Sequence, residues 1–295
     1  MSAAPGLSCW LGWQGLHILD EDAMLGALAG DIIGSIYERN PVRTDKDSFP
    51  LFSPACHFTD DTVMTLAVAE GVRLGYGDPQ KTVFITRQSM RSLGRRYLNA
   101  GYGNRFLQWL LSDGNEPMNS YGNGSAMRTS AVAWAYDSLE EVERYANLIA
   151  TITHNHPEGI KGACATAAAI YMARYGFSKG DIRDYISERY GYNMNRRLTD
   201  IKPDYSFHVS CQESVPEAII AFLDSKSLED ALRGAVWLGG DSDTQAAIAG
   251  SIAEAFYGPV PEAIEQAVRS RLDAHLNAML NTWQNWLVHK PNSNI

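Results

Sequence analysis

The sequence predicts an all-α protein, a single and mainly helical domain of ten or more helices. Three observations predict it. Apolar residues recur at spacings of three and four along much of the chain, the period of one helix face. Two segments, 62–74 and 244–257, are apolar on nearly every side, as expected of helices surrounded by other helices. Strand-like alternation is scarce, and its best case, Tyr205 to Ser210, is short. Composition agrees. The 295 residues are 45% hydrophobic and 20% charged, too apolar for a disordered chain.

Taken in order, residues 1–23 stand apart, with Pro5, Trp10 and Trp13 and no charge before Asp20. They read as a docking arm, a partly ordered tail, or sequence upstream of a start at Met24, where regular patterning begins. The stripe Leu25, Leu28, Ala29, Ile32 and Ile36 predicts a first helix, ended by Glu38 ahead of Arg39, Asn40 and Pro41. Val142, Tyr145, Ala146 and Ile149 mark another helix, and Ile182, Tyr185 and Ile186 a third. Residues 162–173 are crowded with Gly and Ala, which permits close helix contact. Asp181 and Ser214 are expected helix starts; Gly176, Gly191 and Gly258 are expected stops. No linker, charge block or repeat divides residues 24–290, so one domain is expected, followed by a polar tail at 291–295.

The same composition excludes several classes. A net charge of −9 argues against a nucleic-acid partner bound by phosphate neutralisation. No apolar run reaches the roughly 18–20 residues of a membrane span. No Lys or Arg precedes Arg39, whereas a secretory signal needs a basic start. Cys9, Cys56, Cys164 and Cys211 are scattered with no CxxC pair and read as free thiols of a reducing compartment. The expected setting is the cytoplasm, with neither membrane nor nucleic acid as partner.

Two acidic clusters each precede a buried-looking helix: Thr59-Asp60-Asp61-Thr62 and Gly239-Gly240-Asp241-Ser242-Asp243-Thr244. Asp, Ser and Thr are preferred helix caps, so one such residue per cluster needs no function. Each cluster instead offers two carboxylates and a hydroxyl, and acids crowded beside a core are costly without a cation. Asp241 and Asp243 would lie about 200° apart within a helix, so sharing an ion requires the turn before it, which the paired glycines permit. Facing each other, the clusters would make an all-oxygen site for Mg²⁺, Mn²⁺ or Ca²⁺, and four carboxylates suit two ions better than one.

Two further segments carry chemistry. Ser120-Tyr121-Gly122-Asn123-Gly124-Ser125-Ala126-Met127-Arg128 leads small residues into a helix, a turn whose N–H groups suit phosphate, although Gly and Asn also mark ordinary turns. It lacks the Gly-Lys-Ser/Thr ending of a Walker phosphate-binding loop, and no strand precedes it as a dinucleotide fingerprint requires. His154-x-His156 lacks the third ligand a zinc ion wants, so it reads as structural or as a hydrogen-bonding wall.

Together these residues resemble the ADP-ribosylglycohydrolase family. The resemblance rests on Gly30-Asp31-x-x-Gly34 with Glu38, on Thr59 to Thr62, and on Tyr121 through Arg128. It continues with Thr153-His154 before Gly159 and Gly162, Glu213-Ser214-Val215-Pro216-Glu217-Ala218, and Gly239 to Thr244. These occur in family order over about residues 24–260, and the ordered set is specific where each motif alone is not. The resemblance implies a compact all-helical fold with two magnesium ions in a cleft, manganese being a possible substitute. Thr59, Asp60, Asp61, Asp241, Asp243 and Thr244 would hold the metals. The loop Tyr121, Gly122, Asn123, Gly124, Ser125 and Met127 would take ADP-ribose, its diphosphate on Gly122 to Ser125, with Tyr121 a candidate for the adenine. His154 would line the ribose, and Glu38 would sit over the reacting centre. Glu38, or Asp60 or Asp61, would position a water or take its proton. The implied partner is an ADP-ribosylated protein, the modified side chain being Arg or Ser, and the product ADP-ribose. A two-metal phosphoesterase of nucleotides and a binding or immunity module using the Trp10/Trp13 arm are the competing readings.

Overall fold

Glycines at 26, 30 and 34 make one face of the first helix, and that face sets the centre of the fold. The computed structural model describes residues 23–291, and the readings for the first 22 residues, the Trp10/Trp13 arm and Cys9 among them, and for the last four lie outside it. The described residues form fifteen α-helices and no strand. The first half holds α1 (Leu25–Gly34), α2 (Asp60–Gly75), α3 (Pro79–Arg96), α4 (Asn104–Leu111), α5 (Gly124–Met127), α6 (Ser130–Ala135) and α7 (Leu139–Ala150). The second holds α8 (Pro157–Arg174), α9 (Lys179–Tyr190), α10 (Leu198–Ile201), α11 (Cys211–Leu223), α12 (Leu228–Leu238), α13 (Ser242–Tyr257), α14 (Glu262–Arg269) and α15 (Ala274–His289).

α1 lies on α13 with backbone against backbone. A Cβ on Gly26 would overlap the carbonyl of Gly250, one on Gly30 the carbonyl of Ala246, and one on Gly34 the Cα of Asp243. All ten residues of α1 are buried, and so is α13 from Ser242 to Ala255. The Gly/Ala-rich α8 is flanked by α5, α6, α7, α11 and α13, and α12 packs on α11 and α13. One contiguous apolar core runs from Ala23 to Leu287. α2 and α3 use the same device, with Gly71 and Gly75 seated against Thr86 and Thr82.

Helix ends are satisfied from a distance. α1 has no side-chain cap of its own at Met24; Glu254 on α13 instead accepts hydrogen bonds from Leu25 N (3.1 Å) and Gly26 N (3.0 Å). The Lys179 ammonium donates to Phe222 O, Leu223 O and Ser225 O at the end of α11. Lys202 does so for Trp237 O at the end of α12, and Lys290 for Ala135 O at the end of α6. Cations placed there complement both the orphan carbonyls and the helix dipole.

Four expectations are corrected. The first helix stops at Gly34, so Ile36 and Glu38 lie in the turns that follow it. Tyr205 to Ser210 forms no ladder, only an isolated bridge between Ser210 and Gly122; Tyr205 packs on the core, but Phe207 and Val209 face solvent, each 52% exposed. Ser214 lies inside α11, its hydroxyl donating to Ser210 O, and the cap is Ser210. Asp181 is the third residue of α9 and the reciprocal partner of the cap Ser178. Gly176, Gly191 and Gly258 do follow helix ends, all at positive φ. Cys56, Cys164 and Cys211 are free and buried. No helix among the described residues is long and apolar enough to cross a membrane.

Candidate active site

The α1–α13 contact fixes the first acid. Asp31 follows the glycine that touches Ala246, and it is fully buried. Its carboxylate reaches the start of α2, where Oδ2 accepts from Thr59 N (2.9 Å) and Thr62 N (3.0 Å) and Oδ1 from the Thr59 hydroxyl (2.5 Å). An acid on α1 thus caps the N-terminus of α2 and holds Thr59. The Thr59 hydroxyl in turn accepts from Asp61 N (3.3 Å). Sequence reasoning gave Asp31 no role; the available signal was a single acid within a helix otherwise made of Leu, Ile, Ala and Gly.

The second cluster arrives from the opposite side. Gly239 and Gly240 both take positive φ (84° and 78°), turning the chain so that Asp241 sits at the N-cap of α13 and Asp243 in its first turn. The carboxylate oxygens of Asp31, Asp61 and Asp243 come within 4.8 Å of one another. The Thr244 hydroxyl donates to Asp61 Oδ2 (3.3 Å), joining the two clusters across 183 residues of sequence. Asp60 sits at the first position of α2, its backbone N–H donating to Ala100 O (2.8 Å).

Burial pushes every one of these carboxyls up: Asp31 and Asp241 are raised, Asp61 and Asp243 strongly so, and Asp60 is pushed up to about 7. Mutual repulsion adds to it, Asp61 for example facing Asp31, Asp60 and Asp241. The buried guanidinium of Arg128 acts on Asp60 in the opposite direction. Asp61 Oδ1 is buried with no hydrogen-bond partner. An orphaned carboxylate oxygen among hydroxyls and further carboxylates is the donor chemistry a hard divalent cation takes. The residues present fit such an ion.

The glycine loop faces this acid cluster. Asn123 Nδ2 donates to Asp241 Oδ2 (2.7 Å), and Met127 lies against Thr244. Gly122 N is held by the Ser120 hydroxyl and Asn123 N by Val209 O, while the Ser125 hydroxyl donates to Gly159 O (2.7 Å). Cβ atoms on Gly122 and Gly124 would lie 3.6 and 3.5 Å from His154 Nε2, so His154 stands directly behind the loop. Tyr121 is 49% exposed and meets His156 edge to face. Of the loop residues singled out in the sequence, Asn123 touches Asp241 and Met127 touches Thr244, whereas Tyr121 is turned to solvent beside His156.

The profile of the ADP-ribosylglycohydrolase family matches residues 21–292. The chain belongs to the ADP-ribosylglycohydrolase family. Among its relatives, ADP-ribosylhydrolase ARH3 of Homo sapiens is 28% identical over 83% of this chain and 87% of its own. ADP-ribosylarginine hydrolase Tri1 of Pseudomonas putida (strain GB-1) is 26% identical over 84% of this chain and 74% of its own. A solved structure titled ADP-ribosylglycohydrolase-related protein complex shares the fold, with a TM-score of 0.66 and 24% identity over 90% of this chain and 98% of that one.

In this ADP-ribosylglycohydrolase family member, Glu38 lies just past α1. Partial burial raises its carboxyl, and the charge of Asp241 raises it further while Arg39 opposes. Glu38 is thus within electrostatic reach of Asp241, at the edge of the acid cluster.

Proposed function

We propose that this chain is a divalent-metal-dependent hydrolase that cleaves the glycosidic bond between ADP-ribose and a modified Arg or Ser side chain of a protein, releasing ADP-ribose. The carrying observation is the buried carboxylate cluster with its orphaned Asp61 Oδ1, tied to the glycine loop by the Asn123–Asp241 hydrogen bond. Thr59, Asp60, Asp61, Asp241, Asp243 and Thr244 would hold two magnesium ions, for which manganese could substitute. Asp31, whose oxygens are engaged by Thr59 and Thr62, orients Thr59 and adds charge. When bound, the metal supplies positive charge that fixes ribose hydroxyls and makes a nearby water more acidic.

The chain's own groups do the rest. With Gly122 N and Asn123 N already engaged, the N–H groups of Gly124 and Ser125 are the loop donors for the diphosphate. Met127 shapes the wall beside Thr244, and Tyr121 offers its exposed ring to the adenine. His154 binds the ribose end. Breaking the bond builds oxocarbenium-like charge at the anomeric carbon, which the surrounding carboxylates favour. Glu38, its carboxyl raised by partial burial and by Asp241, positions the attacking water and takes its proton, or Asp60 or Asp61 does so in its place. The ARH3 relatives are named ADP-ribosylhydrolases and Tri1 an ADP-ribosylarginine hydrolase, which supports the bond class. The cytoplasm is the proposed setting, in keeping with the free thiols.

The test incubates the purified protein with Arg-linked and Ser-linked ADP-ribosylated peptides, in Mg²⁺ or in EDTA. Free ADP-ribose is expected in Mg²⁺ alone. Equal release in EDTA would remove the metal from the mechanism, and release of AMP would make the protein a phosphoesterase.

A further inference from the structure

Arg128 ends the Tyr121–Arg128 segment with its side chain in the interior. It is 1% exposed, and its Nη2 lies 2.6 Å from the Thr153 hydroxyl and 3.1 Å from His154 Nδ1. The Phe106 ring covers the guanidinium at 5.2 Å. Guanidinium has no lone pair to offer, so the His154 Nδ1 that faces it must be the bare nitrogen of the ring. The Thr153 hydroxyl, 2.7 Å from the same nitrogen, accepts from Arg128 and donates its own hydrogen to Nδ1. The proton of neutral His154 is therefore on Nε2. That nitrogen has no partner among the described residues, and it points at the space beside Gly122 and Gly124.

We infer that Arg128 is a positioning residue, locking His154 in the Nε2–H tautomer so that it donates a hydrogen bond to a ribose or phosphate oxygen of the ligand on the glycine loop. Its ligand half rests on the function proposed above; its tautomer half does not. Burial, with Arg128 and Arg105 nearby, holds the imidazole well below its usual range, so the ring is neutral and a donor through Nε2 alone. Asp60 and Asp61 both raise the Arg128 guanidinium against the burial that lowers it to about 10.

Long-range ¹H–¹⁵N NMR of the imidazole nitrogens in the full chain reads the tautomer without any substrate, with His154 assigned through His154→Asn. Wild type should show a bare Nδ1 and a protonated Nε2. Arg128→Met should move His154 towards Nδ1–H, and its affinity for ADP-ribose in MgCl₂ should fall roughly three- to tenfold, the worth of one net hydrogen bond. Thr153→Val leaves Arg128 facing Nδ1 and should keep the Nε2–H form. A wild-type His154 protonated on Nδ1 overturns the inference. So does a folded Arg128→Met protein with tautomer and affinity unchanged. If that variant does not fold, a switch to Nδ1–H in Thr153→Val makes Thr153 the determinant and overturns the role of Arg128. ADP-ribose that fails to bind wild type overturns the functional reading and the ligand half with it, while the tautomer result stands alone.

Discussion

Asp60→Asn separates stability from metal affinity, because the carboxyl it replaces burdens the metal-free fold. Burial and the charges of Asp31 and Asp241 raise Asp60 from 3.8 to about 7. A carboxyl raised on folding binds its proton more tightly in the native state, so stability falls as pH climbs from the unfolded value to the folded one and then levels off. The shift is about three pH units, and at about 1.36 kcal/mol per unit the full cost is roughly 4 kcal/mol at about pH 8. At about pH 5 the native carboxyl is protonated and the cost shrinks to roughly 2 kcal/mol. Asparagine keeps the shape and removes the charge. In EDTA at about pH 8, Asp60→Asn should melt above wild type by several degrees, at roughly 2 °C per kcal/mol for a chain of this size, and the gap should close by about half at about pH 5. Saturating MgCl₂ or MnCl₂ should reverse the order. A ligand at about 100 times its Kd adds roughly 2.7 kcal/mol to wild type, and the variant should gain far less. Differential scanning calorimetry in the four conditions measures all of this. A variant that melts below wild type in EDTA at about pH 8, or that gains as much from Mg²⁺ as wild type does, refutes the reasoning.

Other outcomes follow from the same geometry. Asp241→Ala and Asp60→Ala should abolish release of ADP-ribose from modified peptides while circular dichroism shows an intact helical fold. Gly30→Ala puts a methyl into the Ala246 carbonyl; it should cost about 3 kcal/mol or more in urea unfolding, the upper range for overpacking, because backbone is what must move. Glu254→Ala frees the N–H groups of Leu25 and Gly26 inside the core and should cost roughly 2–3 kcal/mol, read in the same titration. Deleting residues 1–20 should leave hydrolysis unchanged, whereas loss of a bound partner with full activity would favour the docking-arm reading.

What the sequence disclosed follows from which residues bury what. α2 and α13 were legible because both are apolar on nearly every side and both begin with more acids than a cap needs. The turn at Gly239–Gly240 was legible because paired glycines announce positive φ. α3 was not, since its buried face is Thr82, Thr86, Ser89, Met90, Leu93 and Gly94, and small polar residues packed on glycines leave no hydrophobic period. Glu38 was drawn into the first helix because Ile36 continues the stripe of three and four; the chain leaves the helix at Gly34, where its backbone meets Asp243. Asp31 and Arg128 were quoted within motifs but given no task. Their meaning lies in partners far along the chain, Thr59 and Thr62 for one and Thr153 and His154 for the other, and no local pattern encodes those contacts.

The charge of the site argues for more than one ion. Asp31, Asp60, Asp61, Asp241 and Asp243 are set against the buried guanidinium of Arg128, so with all five acids ionised four negative charges remain, which two divalent cations would match. A single divalent ion would leave the cluster half compensated, and with none the raised carboxyls show how the fold copes: by keeping protons. The helix N-termini of α2 and α13 converge on the same point, and their dipoles favour negative charge there without neutralising it. Proton release on metal binding is therefore a direct count of the ions' effect. Titrating MgCl₂ into metal-free protein at about pH 7, in buffers of different ionisation enthalpy, should show net proton release, because carboxyls raised by burial and by one another give up protons to the ions. Binding with no proton release at about pH 7 would mean that the acids carry their charges unaided, and the two-ion argument from charge would fail.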